Sequence, residues 1–197
     1  MKSKKKVLIV FVFIIAILII VCCSIILINK NKVKHIYDEN GCVRGLTLLS
    51  TKKDVCQTLK AIYGELPKEN KNGDPYEIIE NFDGIETCTA TVMYELDKKY
   101  KHYQNLERVY VNLNSTNYSS DELYEIMLGK LTKLYGEQQF DTDDRGETIY
   151  DKKTGKPITR PWSLYSNEHG HNSVSIYMNE KNLDDGNLYQ VIIKFVY

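Results

Sequence analysis

Apolar residues change their spacing along this chain, and each change marks an element. Residues 7–28 carry no charge, and Ser24 is the one weakly polar group among them. As a helix such a run spans roughly 33 Å, against a hydrocarbon core of about 30 Å. From Thr51 the spacing becomes helical: Val55, Leu59 and Ile62 form a stripe, Thr51 and Asp54 an N-terminal cap, and Gly64 a stop. Residues 76–82, 86–96 and 106–114 then read as strands. The order returns in the second half. Ser119 with Glu122 is a capping box, and Leu123, Met127, Leu131 and Leu134 are the stripe. Residues 162–167, 172–179 and 188–197 are the strands.

The two halves also correspond position by position. Pro75 to Asn81 returns as Pro161 to Asn167, and Thr87-Cys88-Thr89-Ala90 as Ser173-Val174-Ser175-Ile176, both at an offset of 86. Tyr63-Gly64-Glu65 returns as Tyr135-Gly136-Glu137 at 72, and Leu106, Val109, Val111 and Leu113 fall on Leu188, Val191, Ile193 and Phe195 at 82. The 14 residues gained between second helix and first strand read as an added hairpin of 148–150 and 157–159 turning at Thr154-Gly155. The expected fold is α+β: an N-terminal transmembrane helix followed by a tandem repeat of one helix and three antiparallel strands. Its parts are a basic cytoplasmic tail (1–6), a signal anchor (7–28), a linker (29–44), a first α-β-β-β repeat (45–114) and a second (115–197) with the hairpin inserted at about 138–160.

Strand alternation assigns faces. Cys88, Ala90, Val92, Tyr94 and Leu96 point toward the helix, as do Val174, Ile176 and Met178. Thr87, Thr89, Thr91, Tyr110, Asn112, Tyr165, Ser173, Ser175 and Tyr177 point away, together with Ile79, and these nine form the candidate binding surface. Tyrosine joins flat apolar area to a hydroxyl, so such a face suits a protein or sugar partner, with a merely solvated face as the alternative.

Gly45-Leu46-Thr47, then Lys53-Asp54-Val55, then Tyr63-Gly64 with Pro67, is similar to the helix region of small extracytoplasmic modules of the SmpA/OmlA type. A tandem pair of such units resembles the architecture of secreted β-lactamase inhibitor proteins. The likeness covers about residues 45–197 in outline and departs at 48–50, which intervene before the helix cap. It implies a binding module that presents a sheet face to a protein, without catalysis. None of those families' binding residues matches here by motif.

Charge sharpens the compartment. The formal net charge is zero, but residues 1–35 hold seven lysines and no acid, leaving 19 basic against 26 acidic groups, a net of −7, in 36–197. An acidic folded part excludes nucleic acid as its partner. Lys2, Lys4, Lys5 and Lys6 before the apolar run outnumber Lys30, Lys32 and Lys34 after it. The expectation is a single-pass protein of the cell membrane, held in the bilayer by 7–28, with a cytoplasmic N-terminus and an extracytoplasmic domain facing a protein or cell-wall partner; a cytoplasmic domain is the alternative.

Candidate chemistry is sparse. Cys56 and Cys88 face one another across helix and sheet, so a disulfide is conceivable, but the second half has Leu128 and Val174 there, which favours buried apolar thiols. His169-Gly170-His171 reads as a turn, and no third ligand completes a metal site. Asp141-Thr142-Asp143-Asp144-Arg145-Gly146 resembles a calcium loop, but Arg145 and Lys152 occupy two positions where that loop needs oxygen ligands. No spacing groups a nucleophile, a base and an orienting acid, and no cofactor is expected. A non-catalytic interaction module leads. A cell-envelope hydrolase with its site at the acidic hairpin, and an accessory or sensor subunit acting through its membrane helix, are the alternatives.

Overall fold

The computed structural model of the chain describes residues 35–47, 49–99, 104–153, 155–166, 170–183 and 186–197. Helix α1 (Lys52–Tyr63) and helix α2 (Ser120–Tyr135) both open on a complete capping box. In each, the cap hydroxyl accepts from the third backbone N–H while that residue's carboxylate accepts from the cap's own N–H, satisfying two donors the helix leaves unpaired. Val55 and Leu59 of α1, and Leu123, Met127 and Leu131 of α2, are buried. Ile62 and Leu134, at the ends of the expected stripes, are exposed instead.

The strands are β1 (Lys68–Glu69), β2 (Pro75–Glu80), β3 (Cys88–Leu96), β4 (Leu106–Ser115), β5 (Trp162–Ser166), β6 (Gly170–Leu183) and β7 (Gly186–Val196). They form one antiparallel sheet in the order β1-β2-β3-β4-β7-β6-β5. α1 approaches β2, and α2 approaches β4, β6 and β7. Strict alternation in β3 buries Cys88, Ala90, Val92, Tyr94 and Leu96 in the same core as Val111, Val174, Ile176 and Phe195.

These pairings correct the expected tandem repeat of one helix and three strands. The fold is a single seven-stranded sheet with two helices, in which the matched segments pair in different registers. At the 86-residue offset, the pair Tyr76–Met93 would require Trp162 opposite Asn179; Trp162 pairs with Val174, five residues away. An odd shift turns a strand over. Trp162 is therefore buried while Tyr76 stands on the opposite face. At offsets of 86 and 82, Val92–Val111 would require Met178 opposite Ile193; Met178 pairs with Val191, an even shift that keeps the faces. The expected transmembrane helix at 7–28 lies outside the described residues. Among those that are described, no helix is long and apolar enough to cross a membrane.

The expected linker also differs. From Ile36 onward it belongs to the folded unit, and Ile36, Tyr37, Cys42 and Val43 are buried. Tyr37 bridges Val43 across a turn in which Gly41 has φ +72°. A Cβ at Gly41 would come within 2.9 Å of Leu164 Cδ1, so both the backbone angle and the close approach require glycine. Asn172 Nδ2 donates to Asn40 O at 2.8 Å, and the N–H of Val43 donates to the Tyr197 hydroxyl at 3.0 Å. The turn is thereby clasped onto the second half of the sheet.

Residues 138–160 form a separate small hairpin. Tyr150 bridges Pro157 across the hairpin, and the segment before it joins both arms, Thr142 bridging Thr148 and Phe140 bridging Thr159. Thr159 Oγ1 donates to Ile176 O at 3.0 Å, which lays this hairpin along the stretch of β6 that β5 does not cover.

Candidate functional site

Helices cover one face of the sheet, and the register shows what the other presents. One cross-strand row runs Ile78, Thr91, Asn112, Ile192, Tyr177 through five strands. Beside it runs Tyr76, Met93, Tyr110, Lys194, Ser175. A third runs Glu95, Arg108, Val196, Ser173, Ser163. Thr89 pairs with Glu80 on one side and Asn114 on the other. Neighbours in such rows lie about 4.5–5.5 Å apart at Cβ, so each row is a continuous contact strip.

The candidate residues sort accordingly. Thr89, Thr91, Tyr110, Asn112, Ser173, Ser175 and Tyr177 share the face. Thr87 lies just before β3 with φ +60°, its hydroxyl 3.2 Å from that of Ser115 and its N–H donating to Asn81 Oδ1, so it belongs to the rim. Tyr165 is described by its backbone pairing with His171. Ile79 does not belong: it pairs with Ala90 and packs against the core. The strand β2 sits one residue over from the expected phase and puts Tyr76 and Ile78 outward instead.

Sequence reasoning missed the apolar share of this face. Ile192 was masked by its place in a continuous apolar run, Val191-Ile192-Ile193, where alternation cannot be read. It lies between Asn112 and Tyr177 and is itself 6% exposed. Lys194 Nζ stands 5.9 Å from the Tyr110 ring centroid, a cation–π distance. Arg108 reaches Glu95 at 3.4 Å and also pairs with Glu107, so its charge is engaged at this end. Burial and then the Glu95 charge push the Tyr110 hydroxyl up from its ordinary value, and burial followed by Tyr110 does the same to Tyr177. Both remain neutral donors at physiological pH.

A polar cluster invisible in the sequence lies on the helix side. The Glu77 side chain is 2% exposed, yet both its oxygens are engaged. Arg44 Nε donates to Oε1 at 3.2 Å and Nη2 to Oε2 at 2.9 Å, a bidentate pair. The Tyr94 hydroxyl donates to Oε1 at 2.6 Å, and that of Tyr63 to Oε2. Burial, then the Glu77 hydrogen bond, push Tyr63 up to about 12; burial first, then the Glu77 charge, also raise Tyr94. A carboxylate so saturated has no lone pair left for acid–base work and acts as a fastener.

Three acids of the 138–160 hairpin are likewise engaged. Asp143 accepts from the N–H groups of Arg145 and Glu147, Asp141 from Arg160 Nε, and Asp151 from the Lys153 N–H. Cys42, Cys56 and Cys88 are free thiols. Burial and then Asp83 push Cys88 up to about 11, and burial also raises Cys42 and Cys56, the reverse of what nucleophilic activation needs. Among the described residues, no group of three or more His, Cys, Asp or Glu is arranged to hold a metal ion. His169 lies outside them. No known protein family, curated protein or solved structure matches this chain.

Proposed function

We propose that the chain is a non-catalytic binding module that engages a protein partner with its open sheet face. The observation that carries this reading is the row Ile78–Thr91–Asn112–Ile192–Tyr177, apolar and amide side chains crossing five strands on the face away from both helices. A surface that alternates aromatic or branched apolar groups with Thr, Ser and Asn suits the core of a protein interface, where flat apolar area and a few hydrogen bonds are wanted together. The turn-capping duties of Asp143 and Asp151 and the pairing of Asp141 with Arg160 weigh against a hydrolase at the hairpin. The uncharged run at 7–28 and the lysines before it support membrane attachment with this module outside the cell.

The test is crosslinking capture from intact cells with the full chain and with the double variant Tyr110→Ala/Tyr177→Ala. The double variant should lose the captured partner while melting at the same temperature. Unchanged capture, or loss of function on replacing Asp143 or Asp151 with the sheet face indifferent, would overturn the reading. Protease shaving of intact cells tests the placement: a C-terminal epitope that survives sinks it.

A further inference from the structure

One edge of the sheet is only partly closed. On its inner side β2 pairs with β3 from Tyr76 to Glu80; on its outer side β1 meets it at Pro75 and Tyr76 alone. Continuing that ladder would set Pro67 opposite Glu77 and Leu66 opposite Ile78. Proline has no N–H to contribute, and the pairing stops before it. Between this departing segment and β2 lies a cleft of about 170 Å³, walled by Tyr63, Leu66, Pro67, Tyr76 and Ile78, with Glu77 also contributing.

The walls are unusually exposed for apolar groups: Leu66 is 66% accessible, Ile78 54% and Tyr63 47%. Glu77 adds no free charge, because Arg44, Tyr63 and Tyr94 occupy both its oxygens. The place therefore combines an apolar cleft, a rigid neutralised wall and a strand edge without a strand beside it. Each has a counterpart in an extended peptide: backbone groups to pair with the edge and alternate side chains to enter a pocket. An apolar space of about 150 Å³ holds a benzene ring, so this cleft takes one Leu- or Phe-sized side chain. Glu65 and Lys68 balance one another at the cleft, and exposed Glu80 at the end of β2 leaves one acid in excess along the edge, which favours a basic residue beside the apolar anchor.

We infer that β2 is a strand-addition site, taking an extended segment of a partner protein with one large apolar side chain in the cleft and basic residues flanking it. This site adjoins the open face and shares Tyr76 and Ile78 with it, but it uses the β2 edge and the cleft, which the strips of the face do not.

Four fluorescein-labelled heptapeptides, Thr-Lys-Val-Xaa-Val-Lys-Thr with Leu, Ile, Phe or Trp at the centre, are titrated with the full chain by fluorescence anisotropy. At least one should bind saturably. Leu66→Asp should weaken it tenfold or more, as should N-methylation of alternate peptide amides, which blocks backbone pairing. The Tyr110→Ala/Tyr177→Ala variant should bind the peptide as the parent does, so failure here and failure of the open-face reading show separately. Four peptides without saturable binding overturn the proposal. So does binding indifferent to Leu66→Asp or to N-methylation. A full chain that dimerises, turns monomeric with Leu66→Asp and takes up no peptide also overturns it, since the edge then serves a second copy.

Discussion

At the end of α1, Tyr63 donates its hydroxyl proton to the buried carboxylate of Glu77; at the end of α2, Tyr135 donates to the carbonyl of Asp38 and lays its ring against Trp162, 5.9 Å away between centroids. Both tyrosines precede a Gly-Glu pair. Gly64 takes the left-handed conformation that reverses a chain, whereas Gly136, at φ 89° and ψ −177°, extends it. The first corner is therefore fastened by charge and hydrogen bonds through Arg44, Glu77, Tyr63 and Tyr94. The second is fastened by rings, with Tyr37 between Phe82, Tyr135 and Phe195. The same clasp of residues 36–44 serves both, giving Arg44 to one and Tyr37 to the other. A polar fastening fails when any member goes, because the others are left buried and unpaired; an aromatic one fails in proportion to the area removed.

The largest expected effect comes from breaking the polar corner. Glu77→Ala leaves the Arg44 guanidinium and the Tyr94 hydroxyl without their acceptor and should cost about 3–5 kcal/mol in urea melts. The triple variant Arg44→Met/Glu77→Leu/Tyr94→Phe, which removes the polar groups together, should recover most of that loss. A triple variant as unstable as the single one would show that shape, and not unpaired polarity, sets the cost. At the aromatic corner, Trp162→Phe gives up the Nε1–H donated to Gly136 O and part of one ring. It should cost less, about 1–2 kcal/mol.

Tyr63→Phe tests the polar corner more gently, at about 1 kcal/mol for one hydrogen bond. Its signature is in alkali. An unfolded tyrosine loses its proton near pH 10, while burial and then Glu77 push folded Tyr63 up to about 12. The folded state thus holds a proton that the unfolded chain has released. This contribution to stability is intact below pH 10 and is lost as pH rises through 12. Melts between pH 9 and 12 should fall less steeply for Tyr63→Phe than for the parent. Parallel curves would mean that Tyr63 titrates normally and is not held by Glu77.

Why the helices were legible and the corners were not follows from distance along the chain. A capping box is written within four residues, so Thr51 with Asp54 and Ser119 with Glu122 announce themselves. Alternation in β3 is equally local. The Arg44–Glu77–Tyr94 set spans contacts 33 and 17 residues apart, and nothing near Glu77 marks it as buried. The correspondence of 75–81 with 161–167, which keeps only the proline and the asparagine unchanged, is silent about register, and a five-residue slip was enough to bury Trp162 where Tyr76 stays outside. The apolar content of the open face was hidden for the same reason: Ile78 and Ile192 sit in runs whose phase only a partner strand can set.

The smallest effect concerns a feature the two halves build alike. Thr51→Ala and Ser119→Ala each delete a cap hydroxyl that accepts a helix N–H, and each should cost about 0.5–1 kcal/mol. Hydrogen bonds from the cap residue hold the partner carboxylates, Asp54 and Glu122, below their ordinary values. Their contribution is therefore present above the unfolded carboxylate range and fades as pH falls through the folded values. Acid melts of the two variants should draw nearer to the parent below that range without meeting it, because the N–H bond to the cap hydroxyl does not titrate, and by the same amount for both helices. A Thr51→Ala penalty several times that of Ser119→Ala would mean that α1 leans on its cap as α2 does not. Such a result fits the packing, since α1 buries Val55 and Leu59 where α2 buries four residues, and it would extend the contrast between the corners to the helices that lead into them.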